Sequence, residues 1–208
     1  MGEPPRNPAS VGAGEKREPR NGLHLKSIEK TWTLFLDRDG VVNHEKKNDY
    51  ILNKSEFIFY EGATKALKIL SGVFGAIVMV TNQKGIGKKL MTLDDLTDIH
   101  IYMLEEIQNA GGRIDRIYFS TDIEDTSDNR KPNPGMAFQA KADFEHIDFS
   151  KSIMAGNKLS DMQFGRNAGM FTVFISTTDP HIENPHSLID ERFDSLLSFA
   201  KAANKEVT

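Results

Sequence analysis

Two carboxylates close an apolar segment in the first quarter of the chain. Residues 33–36 are uncharged, and Asp37, Asp39 and Gly40 follow them at once. An apolar run that ends in acid-x-acid-Gly is typical of a buried parallel strand whose carboxyl end opens into a ligand-binding loop. While strand geometry lasts, both carboxylates point to the same side, where they can share a cation or divide the roles of nucleophile and acid/base. Gly40 permits a turn that a Cβ would obstruct.

Three further polar loops each follow a predicted strand. They are residues 81–82 after the run 76–80, residues 130–131 beyond the run 116–119, and residues 156–161 after the run 152–155. Each loop alone is typical of an ordinary turn, a solvated charge pair or a helix cap. Their order, with each one at or beyond a strand end, favours a single active site.

The side chains of these loops suit phosphoryl transfer. Asp37, Asp39 and Asp161 can hold Mg²⁺, a hard ion that takes oxygen ligands and keeps waters for a substrate phosphate. The Thr81 hydroxyl, the backbone amides that follow it and Lys131 match the remaining phosphoryl oxygens. A carboxylate beside Mg²⁺ stays ionised and can attack phosphorus, which gives an aspartyl-phosphate.

Alternating strands and helices must position these loops. The predicted strands are 33–36, 76–80, 116–119, 152–155 and 172–175, and the predicted helices are 62–74, 92–109, 135–144, 160–169 and 194–203. Thr92 and Ser160 are the predicted caps of two of these helices. Right-handed crossovers then predict an α/β, Rossmann-like three-layer αβα sandwich with a mainly parallel five-stranded sheet and no large cap domain.

Composition narrows the class of protein. With 208 residues and 38% hydrophobic content, residues 23–208 are expected to form one domain, after a disordered tail over residues 1–22. The net charge of −4 gives no general attraction to nucleic acid or to an anionic membrane. The chain has no cysteine, which excludes disulfides, thiolate zinc sites and a cysteine nucleophile. With no apolar run of membrane-spanning length and no signal-peptide core at its start, a cytoplasmic location without a membrane partner is expected. The expectation of a monomer has no readable mark in the sequence behind it.

Four motifs resemble those of the haloacid dehalogenase-like phosphatases. They are DRDG at residues 37–40, VTN at 80–82, RKP at 130–132 and GNKLSD at 156–161. The longer strings DRDGVVN, TNQKGIG, RKPNPGM and DMQ resemble the small capless branch of heptose-bisphosphate and histidinol phosphatases. The resemblance covers about residues 31–175, which is most of the predicted domain.

The resemblance implies a role for each residue around the reacting phosphoryl group. Asp37 would be the nucleophile and a Mg²⁺ ligand. Asp39 would be the general acid/base, with its main-chain carbonyl on the metal. Thr81 and Lys131 would bind the transferring phosphoryl group.

The same resemblance implies a small phosphorylated sugar as the substrate. Asn82, Arg130 and Lys158 would contact the sugar or its second phosphate. The leading candidate is the C7 phosphate of D-glycero-D-manno-heptose 1,7-bisphosphate, and histidinol phosphate or another small phosphomonoester is the alternative. A nucleic-acid 3′-phosphatase is disfavoured because the sequence shows no basic groove, so no nucleic-acid partner is expected. A phosphate-binding pseudoenzyme is the alternative of another class.

Two departures from the family pattern bear on the metals. In many relatives a Cys/His zinc loop precedes the RKP motif, whereas residues 120–129 read STDIEDTSDN, so no zinc is expected and hydrogen bonds must order the loop. Asn157 stands where the family usually places an aspartate ligand. The implied metal set is therefore Asp37, Asp39, Asn157 and Asp161, with one charge fewer than usual.

Other polar residues have a functional and a neutral interpretation. His44 can touch substrate or be merely solvated, and His100 is expected to be structural or exposed. Lys84, Lys88 and Lys89 are either a rim that attracts phosphate or an ordinary solvated face.

Overall fold

A single parallel sheet forms the middle layer of the protein. The computed structural model describes residues 24–204, so the predicted tail over residues 1–22 lies outside the described residues. The strand order is β3-β2-β1-β4-β5-β6, and every neighbouring pair is parallel. The strands are β1 (Thr33–Leu36), β2 (Ala76–Asn82), β3 (Arg116–Ser120), β4 (Ser152–Gly156), β5 (Phe171–Ile175) and β6 (Glu191–Phe193).

The sheet has six strands, so the expected count of five is wrong. The additional strand, β6, is three residues long and pairs with β5 in the register Val173↔Glu191. All three of its residues are only half-buried, and two of them are charged. A short edge strand of this composition has no apolar run that a sequence pattern could reveal.

Helices cover both faces of the sheet and confirm the expected α/β three-layer architecture. They are α1 (Ala63–Val73), α2 (Lys84–Gly87), α3 (Leu93–Asn109), α4 (Gly135–Asp143), α5 (Leu159–Ala168) and α6 (Leu196–Ala203), with short 3-10 segments at Leu25–Ser27, Lys54–Glu56 and Phe149–Lys151. Along β1, Leu34 and Leu36 belong to the hydrophobic core shared with α1, α3 and α6. Phe35 belongs to a second core shared with α4 and α5. The strand is therefore buried on both faces, as its uncharged sequence predicts.

The helix ends fix two parts of the site. Thr92 caps α3 in a reciprocal capping box with Asp95, which confirms the predicted cap. For α5 the predicted cap is wrong, because the N-cap position is Lys158 and not Ser160. The Lys158 N–H donates to Oδ2 of Asp161 at 3.0 Å. This bond holds the Asp161 carboxylate over the first turn of α5, next to the end of β4.

Nothing in residues 24–204 forms a large cap over the carboxyl edge of the sheet, in line with the expected capless architecture. Within the same range, no helix has the length and apolar character needed to cross a membrane.

Candidate active site

The loops after β1, β2, β3 and β4 meet around an open groove of about 870 Å³ at the carboxyl edge of the sheet. Parallel strands bring their carboxyl ends to one edge, which is why motifs far apart in sequence meet there. All but one of the sequence-predicted site residues line this groove: Asp37, Asp39, Thr81, Asn82, Arg130, Lys131, Lys158 and Asp161. Asn157, the exception, is fully buried.

A buried lysine joins two buried carboxylates at the base of the groove. The Nζ atom of Lys131 lies 2.7 Å from Oδ1 of Asp37 and 2.7 Å from Oδ1 of Asp161. The same ammonium donates to the Val80 carbonyl at 2.9 Å. The main-chain N–H of Asp37 donates to the Ala155 carbonyl at 2.9 Å, which extends the pairing of β1 with β4 by one residue. The three ionisable side chains are thus held by short contacts from three loops.

These contacts shift the pKa values of Asp37 and Lys131. Burial and the neighbouring charge of Asp161 raise the pKa of Asp37 to about 7, against the opposing effect of Lys131. Burial acts to lower the pKa of Lys131, but the two carboxylates outweigh it and raise that pKa above its ordinary value. The lysine therefore stays charged, and the trio carries one net negative charge when both carboxylates are ionised.

Three oxygens face one another beside this trio. Oδ1 of Asn157 lies 3.1 Å from Oδ2 of Asp37 and 3.1 Å from the main-chain O of Asp39, and its Nδ2 donates to Oγ1 of Thr178 at 2.7 Å. Gly40, at φ +88°, packs so closely on this amide that a Cβ would lie 2.0 Å from Nδ2.

The arrangement of Asn157 has two physical readings. Rotated by half a turn, the amide would donate to Asp37 and to the Asp39 carbonyl, which satisfies the site without a cation. As oriented, three acceptors converge with no proton between them, and octahedral Mg²⁺ at about 2.1 Å from its ligands spaces neighbouring oxygens by roughly 3 Å. The described residues hold no group of three or more His, Cys, Asp or Glu side chains suited to a metal. The donor set here fits Mg²⁺ through a carboxylate, a main-chain carbonyl and an amide.

The Asp39 carboxylate has its own set of hydrogen-bond donors, none of which belongs to the lysine trio. It accepts hydrogen bonds from Nη2 of Arg38 at 2.9 Å, from Nδ2 of Asn43 at 3.0 Å and from Nε2 of Gln83 at 3.0 Å. Burial acts to raise the pKa of Asp39, but the Arg38 charge and these hydrogen bonds outweigh it and hold the pKa below its ordinary value. The two carboxylates of the DRDG motif therefore have different hydrogen-bond partners, and the main-chain carbonyl of Asp39 belongs to the candidate metal set.

Arg38 is itself fixed by a buried histidine. Its guanidinium is 1% exposed, lies over the Phe57 ring, and has its Nη1 atom 3.2 Å from Nε2 of His100. Because arginine only donates, Nε2 of His100 must accept, which places the ring proton on Nδ1. Burial and the Arg38 charge lower the pKa of His100 to about 3, so the ring is neutral. The expectation of a structural His100 is confirmed, and its partner is the loop that carries Asp39.

Asn82 is engaged with the main chain of Lys131. Its Nδ2 donates to the Lys131 carbonyl at 3.1 Å, and its Oδ1 accepts from the Lys131 N–H at 3.0 Å. This reciprocal pair ties the loop after β2 to the RKP motif and so places the lysine beneath the groove. A contact from Asn82 to substrate stays a prediction.

Each predicted substrate cation on the rim has a carboxylate partner. Lys158 Nζ lies 2.6 Å from Oε2 of Glu45. Arg130 donates from Nε to Oδ1 of Asp125 at 2.8 Å, and Asp125 is 81% exposed. Glu45 and Asp125 line the groove as well, and the sequence analysis assigned a role to neither. A bound phosphate would have to share or replace these partners.

Hydrogen bonds order the loop that carries no thiolate. The Asp122 carboxylate accepts from the hydroxyls of Ser120 and Ser127. Asn133 donates to the carbonyls of Asp125 at 3.1 Å and Ser127 at 2.9 Å. This agrees with the expectation that hydrogen bonding holds the segment before the RKP motif.

Of the remaining candidate residues, some line the groove and others lie outside it. Lys84 and Lys88 line the groove, and Lys88 lies over the Tyr50 ring at 5.3 Å. Lys89 is not among the lining residues. His44 is exposed and stacks on Tyr60, with ring centroids 3.9 Å apart, outside the residues that line the groove.

Sequence comparison finds relatives of this chain among known phosphatases. A family model described as polynucleotide kinase 3 phosphatase matches residues 32–195. The D-glycero-alpha-D-manno-heptose-1,7-bisphosphate 7-phosphatase of Mycobacterium tuberculosis is 33% identical over 172 residues, which cover 82% of this chain and 90% of that protein. The D-glycero-beta-D-manno-heptose-1,7-bisphosphate 7-phosphatase of Helicobacter pylori is 34% identical over 158 residues, which cover 75% of this chain and 88% of that protein.

A solved structure shares the fold. The D,D-heptose 1,7-bisphosphate phosphatase of B. bronchiseptica, complexed with magnesium and phosphate, superimposes with a TM-score of 0.74 at 24% sequence identity. The match covers 82% of this chain and 96% of that one.

Proposed function

Since the chain belongs to the haloacid dehalogenase-like phosphatases, in the branch of the heptose-bisphosphate 7-phosphatases, it is a phosphoric monoester hydrolase, and we propose a finer reading of its activity. The proposed reaction is the Mg²⁺-dependent hydrolysis of a small sugar bisphosphate through an aspartyl-phosphate on Asp37.

The surroundings of the Asp37 carboxylate carry this proposal. Its Oδ1 accepts from Lys131 at 2.7 Å, while its Oδ2 lies 3.1 Å from the Asn157 amide. The Asp37 side chain is 9% exposed. Asp37 directly follows β1, whose backbone pairs with β2 on one side and β4 on the other. A nucleophile needs a fixed position and a nearby positive charge for the phosphoryl oxygens, and both are present here.

The proposed reaction has two halves, formation and hydrolysis of the aspartyl-phosphate, and the residues around Asp37 take part in both. In the first half, a carboxylate oxygen of Asp37 bonds to phosphorus, the bond from phosphorus to the sugar oxygen breaks, and that oxygen takes a proton through Asp39. Because Arg38 favours the ionised form of Asp39, the carboxylate must first take up this proton from solvent or from the bound phosphate monoester. In the second half, the oxygen of a water molecule bonds to the phosphorus of the aspartyl-phosphate while the ionised Asp39 carboxylate accepts a proton of that water. The bond from phosphorus to the Asp37 oxygen breaks, which frees the Asp37 carboxylate and inorganic phosphate. Lys131 and the Thr81 hydroxyl would bind the equatorial oxygens in both halves.

Mg²⁺ would be held by the carboxylate of Asp37, the main-chain carbonyl of Asp39 and the amide oxygen of Asn157, with Asp161 beside them. When bound, it supplies positive charge that offsets the repulsion between Asp37 and an incoming phosphate. The fit rests on the Asn157 amide oxygen, which lies 3.1 Å from Oδ2 of Asp37 and 3.1 Å from the main-chain oxygen of Asp39.

The rim and the relatives support a bisphosphate as the substrate. Arg130 offers a planar fork suited to a phosphate, and Lys158 adds a second cation at the edge of the groove. The relatives compared above are named for hydrolysis of the C7 phosphate of heptose 1,7-bisphosphate, and we propose the same substrate for this chain. Relatives named for the alpha and for the beta anomer match with 33% and 34% identity, so identity does not select one anomer.

A second candidate rests on the family model. Its description, polynucleotide kinase 3 phosphatase, favours a nucleic-acid 3′-phosphate as an alternative substrate. The open groove and the lysines Lys84 and Lys88 on its rim are compatible with an extended anion.

A panel of substrates tests the proposal. Release of phosphate is measured with both anomers of heptose 1,7-bisphosphate, histidinol phosphate and a 3′-phosphorylated oligonucleotide, in Mg²⁺ and in a chelator. We expect the heptose bisphosphates to be hydrolysed fastest and only with Mg²⁺. Acid quenching during turnover followed by peptide mass analysis should find one added phosphoryl group on the peptide that contains Asp37 and none in Asp37→Asn. Faster hydrolysis of the oligonucleotide would favour the second candidate, and full activity in chelator would refute the metal dependence.

A further inference from the structure

Gln83 occupies a buried position between two functional groups that the mechanism treats separately. It follows the end of β2, where its main-chain N–H donates to the Ser120 carbonyl at 2.7 Å. Its side chain turns back beneath the groove, and the residue is 4% exposed. The mechanism above assigns it no task.

The hydrogen-bond partners of Gln83 settle the orientation of its amide. Nη2 of Arg38 lies 3.4 Å from Oε1, and a guanidinium can only donate, so the oxygen must face it. The opposite side of the amide faces Oδ2 of Asp39 at 3.0 Å and Oγ1 of Thr81 at 2.8 Å. The ionised Asp39 carboxylate only accepts, so Nε2 must lie on that side. Both amide hydrogens of Gln83 are then used, one on each group.

This orientation has a consequence for Thr81. Its hydroxyl oxygen accepts from Gln83, so its own proton is directed to another acceptor. A bound phosphoryl oxygen is the acceptor that the proposed reaction provides in this groove. The same amide steadies the Asp39 carboxylate, whose other donors come from Arg38 and Asn43 on its own loop. Gln83 is the donor that reaches this carboxylate from the loop after β2.

We propose that Gln83 is a positioning residue that sets the direction of the Thr81 hydroxyl and the place of the Asp39 carboxyl group relative to each other. This inference rests on the proposed function and deepens it. Loss of the amide would leave Arg38 still holding Asp39, so the half-buried carboxylate would stay in place but would be less fixed with respect to the leaving oxygen. The loss should therefore appear in proton transfer more than in folding.

Two substrates that differ in leaving group separate proton transfer from phosphoryl binding. An alkyl phosphate needs its leaving oxygen protonated, whereas 4-nitrophenyl phosphate has a stable leaving anion and needs little help from an acid. Gln83→Met keeps the length and volume of the side chain and removes both donors. Gln108→Met on the exposed face of α3 is the matched control.

We expect Gln83→Met to lower kcat on the alkyl phosphate by about tenfold or more, because positioned acid/base groups typically contribute factors of 10² to 10⁴. The loss of kcat on 4-nitrophenyl phosphate should be several-fold smaller, and KM for both should rise together through Thr81. Gln108→Met should match the wild type on both substrates, and the thermal midpoints of all three proteins should lie within a few degrees.

Two outcomes would overturn the inference, and they are distinguishable. Equal factors of loss on the two substrates, in a wild type that hydrolyses both with Mg²⁺, would show that Gln83 does not act through Asp39 and would leave the proposed function intact. The alkyl phosphate used is heptose 1,7-bisphosphate, and a wild-type chain that does not release phosphate from it in Mg²⁺ would refute the proposed function and this inference with it.

Discussion

Restoring a carboxylate at position 157 should move metal-free stability and metal affinity in opposite directions. Asn157 is fully buried, and its Oδ1 lies 3.1 Å from the carboxylate of Asp37. Without Mg²⁺, Asn157→Asp places a third carboxyl group beside Asp37 and Asp161, with Lys131 as the ammonium that contacts both of those residues.

The loss of stability without metal can be estimated from the distance between the new carboxylate and that of Asp37. Two unit charges about 4 Å apart repel by about 4 kcal/mol at an effective dielectric constant of about 20. Uptake of a proton limits this cost, because burial already raises the pKa of Asp37 to about 7. A net loss of about 2 kcal/mol lowers the melting temperature by about 4–8 °C for a chain of this size.

With Mg²⁺ bound, the carboxylate at position 157 should stabilise the site instead of destabilising it. The added carboxylate attracts a cation bound between Asp37 and the Asp39 carbonyl, and after its desolvation the net gain should be on the order of 1 kcal/mol, or several-fold in affinity. Lys158, which otherwise competes for a new carboxylate, is already paired with Glu45 at 2.6 Å. The stabilisation by Mg²⁺ should therefore saturate at a lower concentration in Asn157→Asp than in the wild type.

Thermal unfolding across a Mg²⁺ titration measures both effects without reference to turnover. Asn109→Asp, an exposed position at the end of α3, is the control that adds the same charge elsewhere. A variant that is destabilised without metal but needs as much Mg²⁺ as the wild type, or more, would show that the side chain at position 157 does not contact the ion.

Further predictions concern the nucleophile and the rim. Asp37→Asn should abolish turnover. In metal-free buffer it should also flatten the pH dependence of stability, because the Asp37 pKa of about 7 makes the folded wild type bind more protons than the unfolded chain. The stability of the wild type therefore falls as pH rises from about 4 to 7, and that of the variant should not. Unfolding curves at several pH values check this, and an unchanged slope would contradict it. Arg130→Ala should weaken kcat/KM on a bisphosphate by about 10- to 100-fold, the worth of a charged hydrogen bond, but hardly affect a matched monophosphate; equal losses would place Arg130 at the reacting phosphoryl group. Asp125→Asn should lower KM for the bisphosphate by about threefold at low salt, because one opposing charge about 6 Å away is worth about 0.7 kcal/mol in water; a higher KM would instead mean that Asp125 orients Arg130.

The sequence predicted where the site lies because apolar runs followed by polar residues identify the ends of strands. Apolar runs mark β1, β2 and β4, and parallel pairing then brings Asp37, Thr81 and Asn157 to one edge whatever their separation in sequence. The helix after Thr92 was equally readable, since a threonine followed three residues later by an acid satisfies both backbone groups of a capping box.

Side-chain directions beyond the strand ends were not readable. Strand periodicity puts Asp37 and Asp39 on one side, but β1 ends at Leu36, and the carboxylate of Asp39 bonds to Arg38 while its carbonyl approaches Asn157. His100 is 62 residues from Arg38, and only the packing of α3 on the sheet brings them together. The ion pairs of the rim depend in the same way on loop conformations that have no period.

The neutral amide at position 157 also affects the substrate. Asp39 is balanced by Arg38, so the charge near an incoming phosphate is set by Asp37, Asp161 and Lys131, which together are negative by one unit when both carboxylates are ionised. A divalent cation beside them makes this group positive by one unit, whereas an aspartate in place of Asn157 would leave the loaded site neutral. A phosphate dianion is attracted by the first arrangement and not by the second. If Mg²⁺ binds as proposed, the asparagine would weaken the hold on the metal and strengthen the attraction for phosphate, so a variant that binds the metal more tightly should bind the phosphoryl group less tightly.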